Sequence, residues 1–175
     1  MVDLMNISPG KKVPDVFNAI VEIPKGSGVK YEFDREHGII KADRIMHSTF
    51  KYPFNYGFVP RTLWIDKDAI DVMILGEQIY PNIMIEVRPV GSLFMNDSGW
   101  KDDKILAVPT RDPKYNEIKD TKDLPAHLLK EILHFFKHYK DLEGKQITGL
   151  KWSNVDNAKK IILKGMENYK NKNKI

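Results

Sequence analysis

The 175-residue chain contains no cysteine, which excludes disulfides and thiolate metal sites and suits a reducing cytoplasm. No apolar run approaches the roughly 20 residues that span a bilayer, so no membrane segment is expected. The stretch MVDLMNISPGKK at the start lacks the apolar core of a secretion signal, and none is expected. No G-x-x-x-x-G-K-[ST] run occurs, which argues against a P-loop nucleotide site. Internal repeats, low-complexity linkers and composition shifts are also missing, so residues 1–175 are expected to form one domain around one core. Charge of one sign is scarce outside the end of the chain. The formal net charge is +4, and residues 159–175 carry Lys159, Lys160, Lys164, Lys170, Lys172 and Lys174 against Glu167. Without that basic helix end and tail the body is close to neutral. Such a tail reads first as a solvated helix face and only second as a nucleic-acid contact.

The composition is that of a folded chain, 42% hydrophobic and 30% charged. Its most informative stretch is WIDKDAIDVMIL, residues 64–75, which sets Asp66, Asp68 and Asp71 between an apolar lead-in and an apolar run. Carboxylates this close repel one another, and Lys67 or a divalent cation could offset that repulsion. Hard cations such as Mg²⁺ take oxygen ligands; the plainer alternative is a solvated acidic turn.

Alternation predicts strands over 17–24 and 29–34, read as a hairpin about the turn Lys25-Gly26-Ser27-Gly28. Period two puts Lys30 and Glu32 on one face. A third strand is expected over 38–45. The stretch 51–61 (KYPFNYGFVPR) holds two prolines, a glycine and four aromatics and is read as an ordered loop. Strands follow over 71–75, over 83–95 with a bend at Pro89 and Gly91, and over 104–109, with 95–103 as a turn. Helical spacing first appears at Leu128, Leu129, Ile132, Leu133, Phe135 and Phe136, with Asp123 as the expected N-cap. A late strand over 145–152 precedes a second amphipathic helix over 154–169, capped by Asn154. Many short strands with two late helices predict an α+β, mainly β fold: a small closed five-stranded OB-like β-barrel flanked by two α-helices.

A second acidic turn carries Asp97, Asp102 and Asp103 beside Lys104, and loops at one end of a barrel commonly build a site. Lys30, Arg44, Tyr52, Tyr56, Lys104, Tyr139 and Lys140 add cations and phenols. Carboxylates, divalent metal and cationic donors form the constellation that phosphoryl chemistry requires. An EF-hand loop from Asp66 is rejected, because Ile70 and Asp71 occupy its fifth and sixth places, where the motif needs a ligand and a glycine. His134 and His138 have half of a zinc spacing but no glutamate between them as in H-E-x-x-H, and read as surface or interface residues.

The runs VEIPKGSGVKYEFD, DRIMHSTFKYPFNYGFVP, IDKDAIDV, RPVGSLFMNDSGWKDDK and FFKHYKDLEGK together resemble, in order and spacing, the soluble family I inorganic pyrophosphatases of bacteria and archaea. The resemblance implies hydrolysis of pyrophosphate to two orthophosphates in the cytoplasm, with several Mg²⁺ ions and a metal-activated water. It implies Asp66, Asp71 and Asp102 as ligands of a tighter metal, with Asp71 bridging to a second. Asp97 and Asp102, with Glu32 nearby, would serve metal arriving with substrate, and Asp68 would be the general base. Lys30, Arg44, Tyr139 and Lys140 would hold phosphate, with Glu32 and Lys104 also counted at the substrate. Tyr56 is counted as catalytic, and Glu22, Tyr52 and Asp103 as lining. It further implies a homohexamer, a dimer of trimers, with His134 and His138 near a subunit contact. The family pattern D-G-D-P-x-D reads here with Lys67 and Ala69 in its glycine and proline places, and Lys67 is expected to point away from the face of Asp66 and Asp68. The competing class is an OB-like module for single-stranded nucleic acid. EDTA separates the two, since counterion-driven binding survives it.

Overall fold

The computed structural model describes residues 3–172. Nine strands and two α-helices are set in the order β1 Phe17–Ile23, β2 Val29–Asp34, β3 Ile39–Ile45, β4 Asn55–Val59, β5 Ile70–Ile74, β6 Ile83–Asp97, β7 Trp100–Lys101, β8 Lys104–Pro109, α1 Ala126–His138, β9 Ile147–Ser153 and α2 Val155–Lys172. Pairing runs β1-β4-β5-β8-β6, and β6 returns to β1. The result is the expected five-strand ring with two helices, antiparallel except for β5 with β8. β7 and β9 extend it from β6, and β2 and β3 form a separate two-stranded sheet.

Two strand readings are corrected. β1 and β2 are not a hairpin: β4 and β6 occupy both edges of β1, while β2 pairs with β3. The stretch 51–61 is not all loop, because its middle is β4, with all five residues buried. A strand buried throughout loses the in–out alternation that reveals strands in sequence, and Pro53 and Pro60 bracket β4 instead of interrupting it. Gly57 is the reason β4 can lie where it does. A Cβ there would stand 1.8 Å from the Ile20 carbonyl oxygen on β1.

The helix starts are also instructive. Asp123 does not cap α1; it closes a capping box with Asp120 around a short 3₁₀ turn, and α1 begins after Pro125 without a side-chain cap. Asn154 does cap α2, its Oδ1 accepting from the Asn157 N–H at 3.1 Å. α2 carries the basic segment as far as Lys172; Lys174 lies outside the described residues.

The ring strands have two apolar faces. On β5, Ile70, Val72 and Ile74 pack with Ala158, Ile161 and Ile162 of α2. Met73 and Leu75 pack with Ile132, Phe135 and Phe136 of α1. Period two therefore places Asp71 on the α1 face. The same count puts Lys104 there with Leu106 and Val108 of β8, and Asp97 with Leu93 and Met95 of β6. Charged side chains from three strands thus emerge together, beside α1, because the residues two places along are core.

Candidate active site

At this end of the ring opens a cleft of about 560 Å³. Every expected site residue lines it except Arg44 and the buried Asp103. Lys104 lies at the centre and is only 2% exposed. β5 and β8 pair in a register that sets Asp71 against Lys104. The ammonium donates to Asp71 Oδ2 at 2.8 Å and to Asp102 Oδ1 at 2.7 Å. Burial works against this ammonium, but the two carboxylates outweigh it and raise its pKa above the usual 10.5. The Tyr56 and Phe136 rings lie 5.3 and 5.7 Å from the same nitrogen.

Three more acids of the cleft are also held by cations. Lys140 donates to Asp97 and Lys30 to Glu32. Asp68 Oδ1 accepts from Arg35 Nη2 and from the Ala69 N–H, both at 2.8 Å. Its side chain is otherwise open, 74% exposed. Burial is the main cause that lifts Asp66 and Asp102 above the usual carboxylate range, and neighbouring aspartates add to it. Burial would raise Asp97, but Lys140, helped by Ser98 and Lys104, outweighs it and moves the group down. Burial, only partly offset by the Phe33 N–H, pushes Glu22 up to about 8. Tyr52, Tyr56 and Tyr139 are raised chiefly by burial, so their hydroxyls stay protonated and can donate.

Lys67 does not lie in an extended segment pointing away. Its φ is 71°, and it lines the cleft. The turn is closed by Trp64 N–H to the Asp68 carbonyl at 2.7 Å and Lys67 N–H to the Trp64 carbonyl at 3.1 Å. That closure demands the left-handed conformation for which glycine is the natural residue. Arg44 pairs across the strands with Lys30 but turns its Nη1 to Glu143 Oε2 at 2.8 Å. Its Nε and Nη2 are buried without a partner among the described residues. Three contributors escaped sequence reasoning: Arg35 on Asp68, Glu143 on Arg44, and Lys41 in the cleft wall. Glu143 lies within FFKHYKDLEGK, but only the fold connects it to a residue 99 positions away.

Among the described residues no three carboxylates or imidazoles are already gathered as a metal cage. The donor set nevertheless fits a hard divalent cation. It is all oxygen, it converges on one cleft, and burial, with mutual repulsion added, raises two of its members.

The sequence model of the inorganic pyrophosphatase family matches residues 19–170. The chain belongs to that family. It is 49% identical over 162 residues to an inorganic pyrophosphatase of Sulfolobus acidocaldarius, covering 90% of this chain and 94% of that one. With an inorganic pyrophosphatase of Bradyrhizobium diazoefficiens the identity is 46% over 171 residues, covering 95% and 96%. The crystal structure of inorganic pyrophosphatase from Thermus thermophilus superposes with a TM-score of 0.93 at 36% identity, covering 97% of this chain and 99% of that one. The family is one of hydrolases, inorganic diphosphatases of class EC 3.6.1.1, and it generally uses divalent metals. Membership favours the pyrophosphatase reading over the single-strand-binding one. No described helix is long and apolar enough to cross a membrane.

Proposed function

We propose that the chain hydrolyses inorganic pyrophosphate to two orthophosphates in this cleft, with several Mg²⁺ ions and with Asp68 as general base. The observation that carries the reading is the convergence of Asp66, Asp68, Asp71, Asp97 and Asp102 with Lys30, Lys104 and Lys140 on one opening. Asp66, Asp71 and Asp102 would hold the tighter metal, and Asp97 with Asp102 would serve the metal that accompanies substrate. When bound, these ions acidify water and neutralise charge on phosphoryl oxygens. Asp68 Oδ1 is engaged by Arg35 and the Ala69 N–H, while the exposed remainder of its carboxylate takes the proton from the attacking water. Lys30, Lys140 and the Tyr139 hydroxyl hold the phosphates, and Arg44 would join them on turning away from Glu143 toward the cleft. Tyr56, kept neutral by burial, hydrogen-bonds Asp71 and fixes its direction. Water oxygen bonds to one phosphorus, the bridging P–O bond breaks, and the cations stabilise the departing orthophosphate. We place this reaction in the cytoplasm, in a hexamer with His134 and His138 at a subunit contact, on the family resemblance.

Phosphate release from pyrophosphate, with and without EDTA, tests the activity. Base and ligand separate in two variants. Asp68→Asn should leave Mg²⁺ binding nearly unchanged by calorimetry while turnover falls about 10²–10⁴-fold. Asp71→Asn should lose both metal affinity and turnover, and excess Mg²⁺ should rescue part of the latter. Near-normal turnover of Asp68→Asn at saturating Mg²⁺ would show the base assignment to be wrong.

A further inference from the structure

The hairpin that delivers Asp97 also delivers an aromatic ring for which the reaction has no use. Ser98 and Gly99 join β6 to β7 with φ of 52° and 88°, the two-residue type I′ geometry that suits strand twist. Its register sets Asp97 directly opposite Trp100, and opposed residues of an antiparallel pair stand on the same face. The indole is therefore the cross-strand neighbour of a carboxylate of the main cleft, yet it is 70% exposed. A tight, fully paired turn holds it there.

A second cleft of about 490 Å³ opens at this point. It shares Asp66, Lys67, Asp97, Asp102 and Lys140 with the first, so the two are continuous. What it adds is an outer wall of Ile65 and Trp100, with Lys101 and Lys145. Ile65 and Trp100 are both largely exposed, as are the cations Lys67 and Lys101. Pyrophosphate has no apolar part to place on such a wall. A ligand with a flat aromatic head and a polyphosphate tail matches both halves of the annex. The head stacks on the indole, and the tail runs past Lys67 and Lys101 toward Lys140 and the carboxylate site.

We propose that this annex binds a nucleoside triphosphate, its base against Trp100 and its phosphates entering the main cleft, so that nucleotide and pyrophosphate compete. The direction of the phosphate tail rests on the proposed metal-dependent reading of the main cleft, because bare carboxylates would repel it. Stacking on Trp100 does not rest on that reading.

The test is calorimetric titration of the full chain in Mg²⁺ with adenosine 5′-(β,γ-imido)triphosphate and, as a control without a base, inorganic triphosphate. Wild type should bind the analogue saturably, and Trp100→Ala should weaken it about tenfold or more. Trp100→Phe should retain most of the affinity. Inorganic triphosphate should bind wild type and Trp100→Ala alike, and pyrophosphate hydrolysis by Trp100→Ala should be unchanged. Equal affinity of the analogue for wild type and Trp100→Ala overturns the proposal, as does no saturable binding to wild type at millimolar analogue, including where a second copy covers the indole. Pyrophosphate turnover, scored on the same preparations, reports separately on the main cleft. Its failure with Trp100-dependent binding intact sinks the catalytic reading and leaves this one standing.

Discussion

Lys104 and Glu22 show how single residues in the cleft wall are balanced against one another. With no divalent cation bound, the Lys104 ammonium is what keeps Asp71 and Asp102 together, at 2.8 and 2.7 Å. Lys104→Met would leave two poorly solvated carboxylates facing each other. In EDTA this should cost about 3 kcal/mol or more of unfolding free energy. Mg²⁺ replaces the missing charge, so its addition should stabilise the variant more than wild type; equal gains in urea denaturation would refute this role. Glu22 titrates the other way from an ordinary surface acid. Its folded pKa, about 8 against the usual 4.5, means that between these values the native state holds a proton the unfolded chain has released. Its contribution to stability is therefore fully present below about 4.5 and falls as pH rises toward 8. Glu22→Gln should flatten that part of the pH–stability profile of the metal-free protein, measured by denaturation at pH 5 and pH 8. At this scale the aspartates were legible, because clustered like charges need an explanation in any fold. Arg35 and Glu143 were not, because nothing local to either residue says which acid or base it will meet.

The elements were legible wherever one face was wet. β2 alternates in sequence and was found; β4, buried on both faces, was read as loop because its aromatics and glycine carry no period. The supposed β1–β2 hairpin failed for a related reason. A short turn between two alternating runs permits pairing, but β1 has apolar residues on both faces and is taken up on both edges by the ring. Gly57 is the point where this arrangement is most exposed to a single change. Gly57→Ala puts a methyl group on the Ile20 carbonyl, and backbone on both sides leaves no flexible side chain to yield. The loss should be about 3 kcal/mol or more, seen as a lower denaturation midpoint at unchanged slope. A variant as stable as wild type would show that β1 and β4 can separate without cost, against the closed ring.

For the whole molecule, ring closure explains why five separated runs of sequence serve one cleft: alternate residues of β4, β5, β6 and β8 are driven to the α1 face by the core on both sides. The remaining surface of α1 carries the last prediction. His134 lies 5.8 Å from the Phe50 ring and 4.7 Å from the His138 ring, and His138 Nδ1 is 2.8 Å from Asp141 Oδ2 within the same chain. Phe50, His127, Lys130 and His134 line a shallow groove on this flank. An imidazole stripe beside an aromatic and an acid is a surface that can stack and hydrogen-bond against the same stripe of a second copy. If it forms the contact between trimers, light scattering at neutral pH should give six times the chain mass. Replacing both His134 and His138 by alanine should shift the population toward half that mass without abolishing pyrophosphate hydrolysis. A monomer at neutral pH and micromolar concentration would rule the assembly out. A hexamer indifferent to the double substitution would move the contact to another face of the ring.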